Sequence, residues 1–154
     1  MSAMPPPGVA VSIAGYVIAV AGLASLAFSR ALFTTQPVLL TIQVLAFLLM
    51  IWARVTFGRR SFHVGANPTA GGIVTTGPYR FWRHPIYAAI LLFAWAGVLS
   101  HGLDPIALGL AVVATLMTAV RIASEEHYLR AEFPGENGYD AYARRTKRLV
   151  PFVF

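Results

Sequence analysis

The chain is short and strongly apolar, since 57% of its 154 residues are hydrophobic and only 12% are charged. A soluble domain normally carries about a quarter charged residues, so this composition favours a single membrane domain, residues 1–154, over a soluble enzyme. Cysteine is absent, which excludes disulfides, thiolate metal sites and cysteine nucleophiles. The net charge of +6 does not indicate nucleic-acid binding, because the basic residues stand beside apolar runs, as in membrane proteins.

Four apolar segments follow in chain order, and each predicts a helix. A bilayer-spanning helix needs roughly 20 predominantly apolar residues. Segments 9–28 and 38–57 meet this length, the third at about 86–100 is short for a span, and the fourth covers about 105–123. Asp104 is a good helix cap, and Pro105 suits the first helical position. The predicted fold is therefore an all-α integral membrane protein with about four transmembrane helices.

The basic residues predict how these helices are oriented. Most lie between the second and third segments or after the fourth, whereas Arg30 stands on the other side beside His101 and Asp104. The first group is Arg59, Arg60, Arg80, Arg83, Arg130, Arg144, Arg145, Lys147 and Arg148. Cytoplasmic segments carry an excess of Lys and Arg, so the long loop, the C-terminal segment and both termini are predicted to be cytoplasmic. The basic run at 144–148 is expected to contact anionic lipid headgroups.

Two polar clusters are predicted to meet at one depth of the membrane. At 1.5 Å per residue, the fourth helix rises roughly 31 Å between Asp104 and Glu125, which returns Glu125 and Glu126 to the cytoplasmic boundary. The short third segment places residues 79–84 at that same boundary. Arg121 and Glu125 are four residues apart and share a helix face. Ionisable side chains near lipid are costly and are usually paired or functional, so both clusters are candidate parts of one site.

A set of motifs in the C-terminal half of the chain resembles a known enzyme family. The motifs are Gly77-Pro78-Tyr79, Arg83-His84-Pro85-x-Tyr87, the pair Glu125-Glu126, Tyr139-x-x-Tyr142 and the basic ending Leu149-x-Pro151. In this order and spacing, over residues 77–151, they resemble the isoprenylcysteine carboxyl methyltransferases and the related phospholipid N-methyltransferases. In that family the C-terminal half wraps S-adenosylmethionine at the cytoplasmic interface. The resemblance implies methyl transfer to a lipophilic acceptor, with S-adenosylhomocysteine as the product.

The resemblance also implies cofactor-binding roles for individual residues, namely Tyr79, Arg83, His84, Pro85, Tyr87, Glu125 and Glu126. Tyr139 and Tyr142 are added as candidate cofactor-binding residues, and the candidate catalytic set is Arg83, His84 and Arg121. A glutamate suits the cofactor's ammonium or ribose hydroxyls, and Arg83 suits its carboxylate. The ring of Tyr79 or Tyr87 can pack on adenine or face the cationic sulfonium. His84 is the candidate proton acceptor for an amine or thiol substrate, whereas a carboxylate needs no base.

Other functions stay open at the level of sequence. The membrane sterol reductases have a similar Arg-His-Pro-x-Tyr and Glu-Glu region that serves NADPH, and a non-enzymatic small membrane subunit is a third interpretation. The acceptor is not identified, since a prenylated carboxylate, an aminolipid and a hydrophobic thiol delivered through the bilayer all fit. No metal is expected, because the four histidines lack metal-ligand spacing. Four short spans would leave lipid-facing surface for a homo-oligomer.

Overall fold

The computed structural model describes residues 9–58, 72–102 and 104–149. Within these ranges the chain forms α1 (Val9–Phe28), α2 (Pro37–Phe57), α3 (Pro85–Ser100), α4 (Pro105–Glu132) and α5 (Tyr139–Arg145), with a 3-10 helix, Gly77–Arg80, before α3. The same ranges contain no β-strand, so the all-helical prediction is confirmed for them. Arg59, Arg60 and Pro151, named above, lie outside the described residues.

The four predicted helices are present, and the fourth is longer than its predicted span. Helices α1, α2 and α3 begin and end within one residue of the predicted bounds. Helix α4 continues through Glu132, beyond the predicted membrane span of about 105–123 and beyond Glu125 and Glu126, which were also expected on this helix. The predicted span counted apolar residues only. The helix persists because Arg121 pairs with Glu125, and Glu126 with Arg130, at the four-residue spacing that stabilises a helix.

Proline and one aspartate determine where the helices begin. Helices α2, α3 and α4 each have proline in the first turn, where its missing N–H costs no hydrogen bond. The Asp104 carboxylate caps α4 by accepting hydrogen bonds from the backbone N–H groups of Ile106 at 3.1 Å and Ala107 at 2.9 Å. The predicted cap at Asp104 is therefore confirmed.

The helices pack as two pairs, α1 with α4 and α2 with α3, and the pairs meet where α3 contacts α4. Gly15 and Gly22 on α1 face the backbone of α4, and small residues let two helices approach closely. Gly97 on α3 is closer still, because a side chain there would collide with the Leu32 carbonyl in the α1–α2 connection. Glycine is therefore required at position 97, where α3 packs directly on the backbone of the α1–α2 connection.

Much of the outer surface is apolar. Helices α2 and α4 are long and apolar enough to cross a membrane, whereas α3 is shorter. Large side chains of α2, including Val38, Phe47 and Val55, are exposed. Soluble monomers rarely expose a contiguous apolar surface of this kind, so the helices are those of a membrane protein.

One polar side chain, Gln43, lies buried among the helices away from both polar clusters. Only 3% of it is exposed. Its Nε2 donates hydrogen bonds to the carbonyls of Leu32 at 2.7 Å and Phe93 at 3.1 Å, and its Oε1 accepts from the Thr34 N–H at 3.4 Å. Gln43 thereby ties the α1–α2 connection to α2 and α3.

Candidate functional site

Three segments converge at one end of the helices. The first is residues 77–84, which include the 3-10 helix. The second is the last turns of α4. The third is α5 together with residues 146–149, and we call residues 146–149 the C-terminal strap. Backbone hydrogen bonds join the strap to the first segment, from Arg83 N–H to the Lys147 carbonyl at 2.7 Å and from His84 N–H to the Arg148 carbonyl at 3.2 Å. The two clusters that the sequence placed at one depth are also in direct contact, since Arg83 Nε lies 3.0 Å from Glu126 Oε1.

Glu126 is the centre of the site. Its side chain is fully buried, and three arginines contact its carboxylate. Arg83 Nε lies 3.0 Å from Oε1, Arg148 Nη2 2.9 Å from Oε2, and Arg130 Nη2 3.4 Å from Oε2. A buried carboxylate is tolerated only when opposite charges and hydrogen bonds compensate it, and here these come from all three converging segments.

Glu125 belongs to a second, adjoining network. The Tyr87 hydroxyl donates to Glu125 Oε1 at 2.6 Å and accepts from Arg121 Nε at 2.9 Å. Arg121 Nε also lies 3.2 Å from Glu125 Oε1. The guanidinium of Arg121 stacks over the ring of Tyr16, at 4.8 Å, so α1 closes this network from the other side. Tyr87 and Arg121 therefore fix the position of the Glu125 carboxylate.

His84 lies between the two carboxylates. Its Nδ1 is 3.7 Å from Glu125 Oε2, and its Nε2 is 3.4 Å from Glu126 Oε1. Although the ring is buried, Nε2 has no hydrogen bond of good geometry. His84 immediately precedes Pro85, which disfavours helical backbone at the preceding residue, so α3 begins at Pro85. The sequence Arg-His-Pro thus places the imidazole where α3 meets α4.

Arg83 has a double role in the geometry of the site. Besides its contact with Glu126, its Nη1 donates to the carbonyls of Ala143 and Thr146, each at 2.6 Å. These carbonyls lie at the C-terminal end of α5, where helix carbonyls lack partners within the helix. Arg83 therefore joins α5, the strap and α4 through one guanidinium.

Three tyrosines around the site are neutral, of which Tyr79 and Tyr139 are buried and Tyr142 is half-buried. Burial raises the pKa values of Tyr79, Tyr139 and Tyr142 above the usual value for tyrosine. The Tyr142 hydroxyl donates to the Tyr79 carbonyl at 2.7 Å, which holds α5 against the 3-10 helix. Tyr79 packs on Phe57 with ring centroids 5.3 Å apart, and Arg130 covers the ring of Tyr139 at 5.5 Å. These side chains form the walls of the site.

The structure brings all the predicted site residues into this one region and adds others. Arg148 was expected at lipid headgroups, but this interpretation is wrong, because its side chain turns inward and pairs with Glu126. Arg130 and Tyr16 are further additions. Arg148 lies in a run of similar basic residues, and Tyr16 lies in an apolar helix. Nothing in the sequence around either residue therefore indicates that it contacts the site.

Several buried polar atoms beside the site have no hydrogen-bond partner. They are the indole N–H of Trp82, the hydroxyl of Ser124 and the hydroxyl of Tyr139. Buried polar groups are normally paired, so groups without a partner are candidates for contact with a bound molecule. The described residues contain no group of three or more histidine or acidic side chains that could hold a metal ion.

An apolar groove lies between α2 and α3 and reaches the site at Trp82. Its volume is 540 Å³. The lining residues are Ile42, Leu45, Ala46, Leu48, Leu49, Trp52, Trp82 and Leu92. Leu45, Leu48 and Trp52 also belong to the exposed apolar surface of α2, so the groove opens sideways towards the region that lipid would occupy. Its inner end is two residues from His84 in the chain.

Comparisons with known proteins place the chain among related sequences. The family model for the isoprenylcysteine carboxyl methyltransferase (ICMT) family matches residues 38–131. The chain is 36% identical over 117 residues to protein-S-isoprenylcysteine O-methyltransferase B of Arabidopsis thaliana, which covers 74% of this chain and 58% of that protein. It is 38% identical over 80 residues to the nickel-cobalt-cadmium resistance protein NccN of Alcaligenes xylosoxydans xylosoxydans, covering 51% of this chain and 36% of that one.

A further relative is protein-S-isoprenylcysteine O-methyltransferase A of Arabidopsis thaliana, 37% identical over 83 residues, or 53% of this chain and 41% of the relative. The chain thus spans about half the length of the curated relatives it matches. No solved structure matches.

Proposed function

Because the chain belongs to the isoprenylcysteine carboxyl methyltransferase family, we propose that it transfers a methyl group from S-adenosylmethionine to a lipophilic acceptor at the cytoplasmic membrane interface. The proposal depends on the convergence of His84, which precedes α3, with Glu125 and Glu126 of α4, within the region that the family model matches. The whole chain would form one membrane domain, with the cofactor held by residues 77–151.

The proposed topology has four membrane crossings, by α1, α2, α3 and α4, with both termini and the site on the cytoplasmic side. Helix α3 is the shortest of these, because 16 residues rise roughly 24 Å, against a hydrocarbon core of about 30 Å. His84 would therefore lie below the headgroups, shielded by α5 and the C-terminal strap. The long loop and the strap would face the cytoplasm, as the excess of basic residues predicts.

The residues of the site fit the polar groups of S-adenosylmethionine. The cofactor, when bound, supplies an electrophilic methyl group on a cationic sulfonium. Glu125 would accept hydrogen bonds from the ammonium or the ribose hydroxyls, because its side chain is part-exposed whereas Glu126 is fully enclosed. Arg83 uses Nε and Nη1 within the protein, which leaves Nη2 as its donor to the cofactor carboxylate. The unpaired hydroxyls of Ser124 and Tyr139 would serve as further partners.

The remaining chemistry is alignment and exclusion of water. Tyr87 is held by Arg121 and Glu125 at fixed hydrogen-bond distances, so its ring can pack on adenine or face the sulfonium without reorganising. His84 would orient the acceptor and would take its proton when the acceptor is an amine or a thiol. A carboxylate acceptor needs no base, and His84 would then act through hydrogen bonding alone.

The groove between α2 and α3 supports a lipophilic acceptor. Its lining is apolar, it opens sideways, and Trp82 at its inner end carries an unpaired N–H that could hold the acceptor's polar group. An acceptor could then enter from the bilayer while the cofactor enters from water. This division of access is part of the proposal.

The test is methyl transfer from S-adenosylmethionine labelled in its methyl group, using the full chain in vesicles. Three acceptors that share one prenyl chain would be compared, a prenylcysteine with a free carboxylate, a prenyl amine and a prenyl thiol. A carboxylate product releases labelled methanol in alkali, which the amine and thiol products do not. Labelled product from any of the three supports the proposal and identifies the acceptor class.

A matched control is Glu132→Gln, which changes an exposed glutamate of α4 and should leave the rate unchanged. Glu125→Gln should lower the rate without changing the nature of the product. Failure of all three acceptors, together with binding of NADPH, would replace methyl transfer by a reductase function. If the chain belonged to a complex with a partner protein, and that complex behaved as the wild type after joint substitution of His84 and Glu126, the chain would be a non-enzymatic subunit.

A further inference from the structure

Four exposed basic side chains surround the C-terminal strap without acidic partners. They are Arg80 of the 3-10 helix, Arg144 and Arg145 of α5, and Lys147 of the strap, and we call them the basic surface. All six acidic residues of the chain lie within the described ranges, yet none forms an ion pair with these four. Arg80 instead stacks on Phe81 at 5.2 Å. The charge of this surface is therefore available to a partner.

The basic surface is held rigidly on the molecule. Lys147 N–H donates to the Phe81 carbonyl at 3.1 Å, and the carbonyl of Lys147 accepts from Arg83 N–H at 2.7 Å. Arg83 also binds the carbonyls of Ala143 and Thr146, which flank Arg144 and Arg145. The neighbouring Arg148 points the other way, towards Glu126. Arg148 thus belongs to the interior of the site, whereas Arg144, Arg145 and Lys147 are exposed.

The position of the basic surface indicates which partner it fits. Arg148 and Arg83 both contact Glu126, so the strap lies level with Glu126, at the end of the apolar part of α4. The exposed Glu132 is six residues further along α4, so roughly 9 Å beyond that level. Phe81, an aromatic side chain that is 45% exposed, stands among the basic residues. Cations beside an exposed aromatic ring, at the end of apolar helices, match the headgroup region of a membrane.

The other acidic groups nearby do not neutralise this surface. Asp140 on α5 pairs with Arg130, with 3.0 Å between Oδ1 and Nε. Glu136 lies exposed in the connection between α4 and α5 and makes no ion pair with a described residue.

We propose that the basic surface binds the headgroups of anionic phospholipids and so holds α5 and the strap at the membrane surface. The proposal rests on the membrane location of the helices and is independent of methyl transfer.

The experiment measures lipid selectivity of the full chain in vesicles. Brominated phosphatidylglycerol and brominated phosphatidylcholine would be used in turn to quench tryptophan fluorescence, which gives their relative association constants. The wild type should prefer phosphatidylglycerol about fivefold, the equivalent of about 1 kcal/mol for one headgroup–cation interaction. Raising the ionic strength should reduce this preference, because exposed charges are screened by salt.

The test variant is the triple substitution Arg144→Gln, Arg145→Gln, Lys147→Gln, which should bring the two association constants close to equality. The control is Arg30→Asn, a single charge at the opposite end of the helices, which should keep the preference. Arg30 has a positive φ of 60°, and asparagine tolerates that conformation. Circular dichroism shows whether each variant is folded, and the salt titration of the wild type tests the proposal even if the triple variant is not.

Equal association constants in the wild type would overturn the proposal. So would a preference that the triple variant retains, or a preference that Arg30→Asn abolishes equally. Binding of an acidic peptide by the wild type, without any preference for phosphatidylglycerol, would also contradict it and would assign the basic surface to a protein partner.

Discussion

Two regions of the molecule bury polar side chains, and they do so in opposite ways. Gln43 sits alone between the α1–α2 connection, α2 and α3, and both ends of its amide are satisfied by backbone groups. Glu125 and Glu126 sit where three segments meet, and polar atoms near them, including the hydroxyls of Ser124 and Tyr139, have no partner.

The contrast separates a structural polar group from a candidate functional one in an apolar protein. A buried polar side chain is costly in lipid and is often taken as functional. Gln43 shows that such a residue can instead satisfy backbone groups between packed segments. The region around Glu126 differs because the hydroxyls of Ser124 and Tyr139 there have no partner within the described residues.

The largest expected effect is that of Glu126→Ala. Removing the carboxylate leaves Arg83 and Arg148 buried or part-buried without their counter-charge, and breaking a buried ion pair in this way costs roughly 3–5 kcal/mol. The free energy of unfolding in mixed micelles would measure the change. Glu132→Ala on the exposed surface of the same helix should change it by at most about 0.5 kcal/mol. An equally small effect at Glu126 would mean that the cluster does not hold the segments together.

Gln43→Leu should have the second-largest effect on stability and none on the site. It removes the partner of the Leu32 and Phe93 carbonyls, and an unsatisfied buried polar group costs roughly 1–3 kcal/mol. The same unfolding measurement applies, with Thr41→Val, on an exposed position of α2, as the control. If a folded Gln43→Leu protein lost affinity for S-adenosylhomocysteine, the division between a structural and a functional region would be wrong.

Tyr87→Phe should affect the site more than the fold. The substitution removes the hydroxyl that connects Arg121 to Glu125 and leaves the ring in place. Loss of a hydrogen bond to a charged group, about 1.5–3 kcal/mol, corresponds to at least a tenfold weaker binding of S-adenosylhomocysteine. Tyr128→Phe, which lies on α4 outside this network, is the matched control for calorimetry. Unchanged affinity after Tyr87→Phe would remove Tyr87 from the proposed cofactor-binding set.

The smallest expected effect is that of Arg130→Gln. Its side chain is 42% exposed, and its second partner, Asp140, is more exposed still. Exposed ion pairs contribute about 0–1 kcal/mol, so the free energy of unfolding should change by less than about 1 kcal/mol. A loss as large as that of Glu126→Ala would show that solvent does not screen this part of the cluster.

The sequence predicts the helices well because apolar length is a direct physical requirement of a membrane-spanning helix. It also predicts that residues 79–87 and 121–126 meet, because the rise of a helix converts sequence distance into depth. The inward turn of Arg148 was not predictable, since it depends on the strap pairing with residues 81–84 through backbone hydrogen bonds. Helix α4 extends past its predicted apolar span because charged residues stabilise its last turns through pairing rather than through hydrophobicity.

The candidate site residues were chosen mainly through the family motifs. Periodicity alone places Glu125 and Glu126 on α4 but does not say which side chain is enclosed. In the structure Glu126 contacts arginines from three segments, whereas Glu125 is part-exposed beside Tyr87. That distinction arises from tertiary packing, and it makes Glu125 the more accessible carboxylate for a ligand.

Calorimetric titration of the purified full chain with S-adenosylhomocysteine, alongside the Glu125→Gln and Gln43→Leu variants and with NADPH as the second ligand, would show whether Glu125 and Glu126 hold the cofactor. We expect the wild type and Gln43→Leu to bind S-adenosylhomocysteine with similar affinity. We expect Glu125→Gln to bind it at least about tenfold more weakly, because one charged hydrogen bond is lost. If the wild type did not bind S-adenosylhomocysteine, or if Glu125→Gln bound it with the same affinity as the wild type, the claim that these carboxylates hold the cofactor would be contradicted.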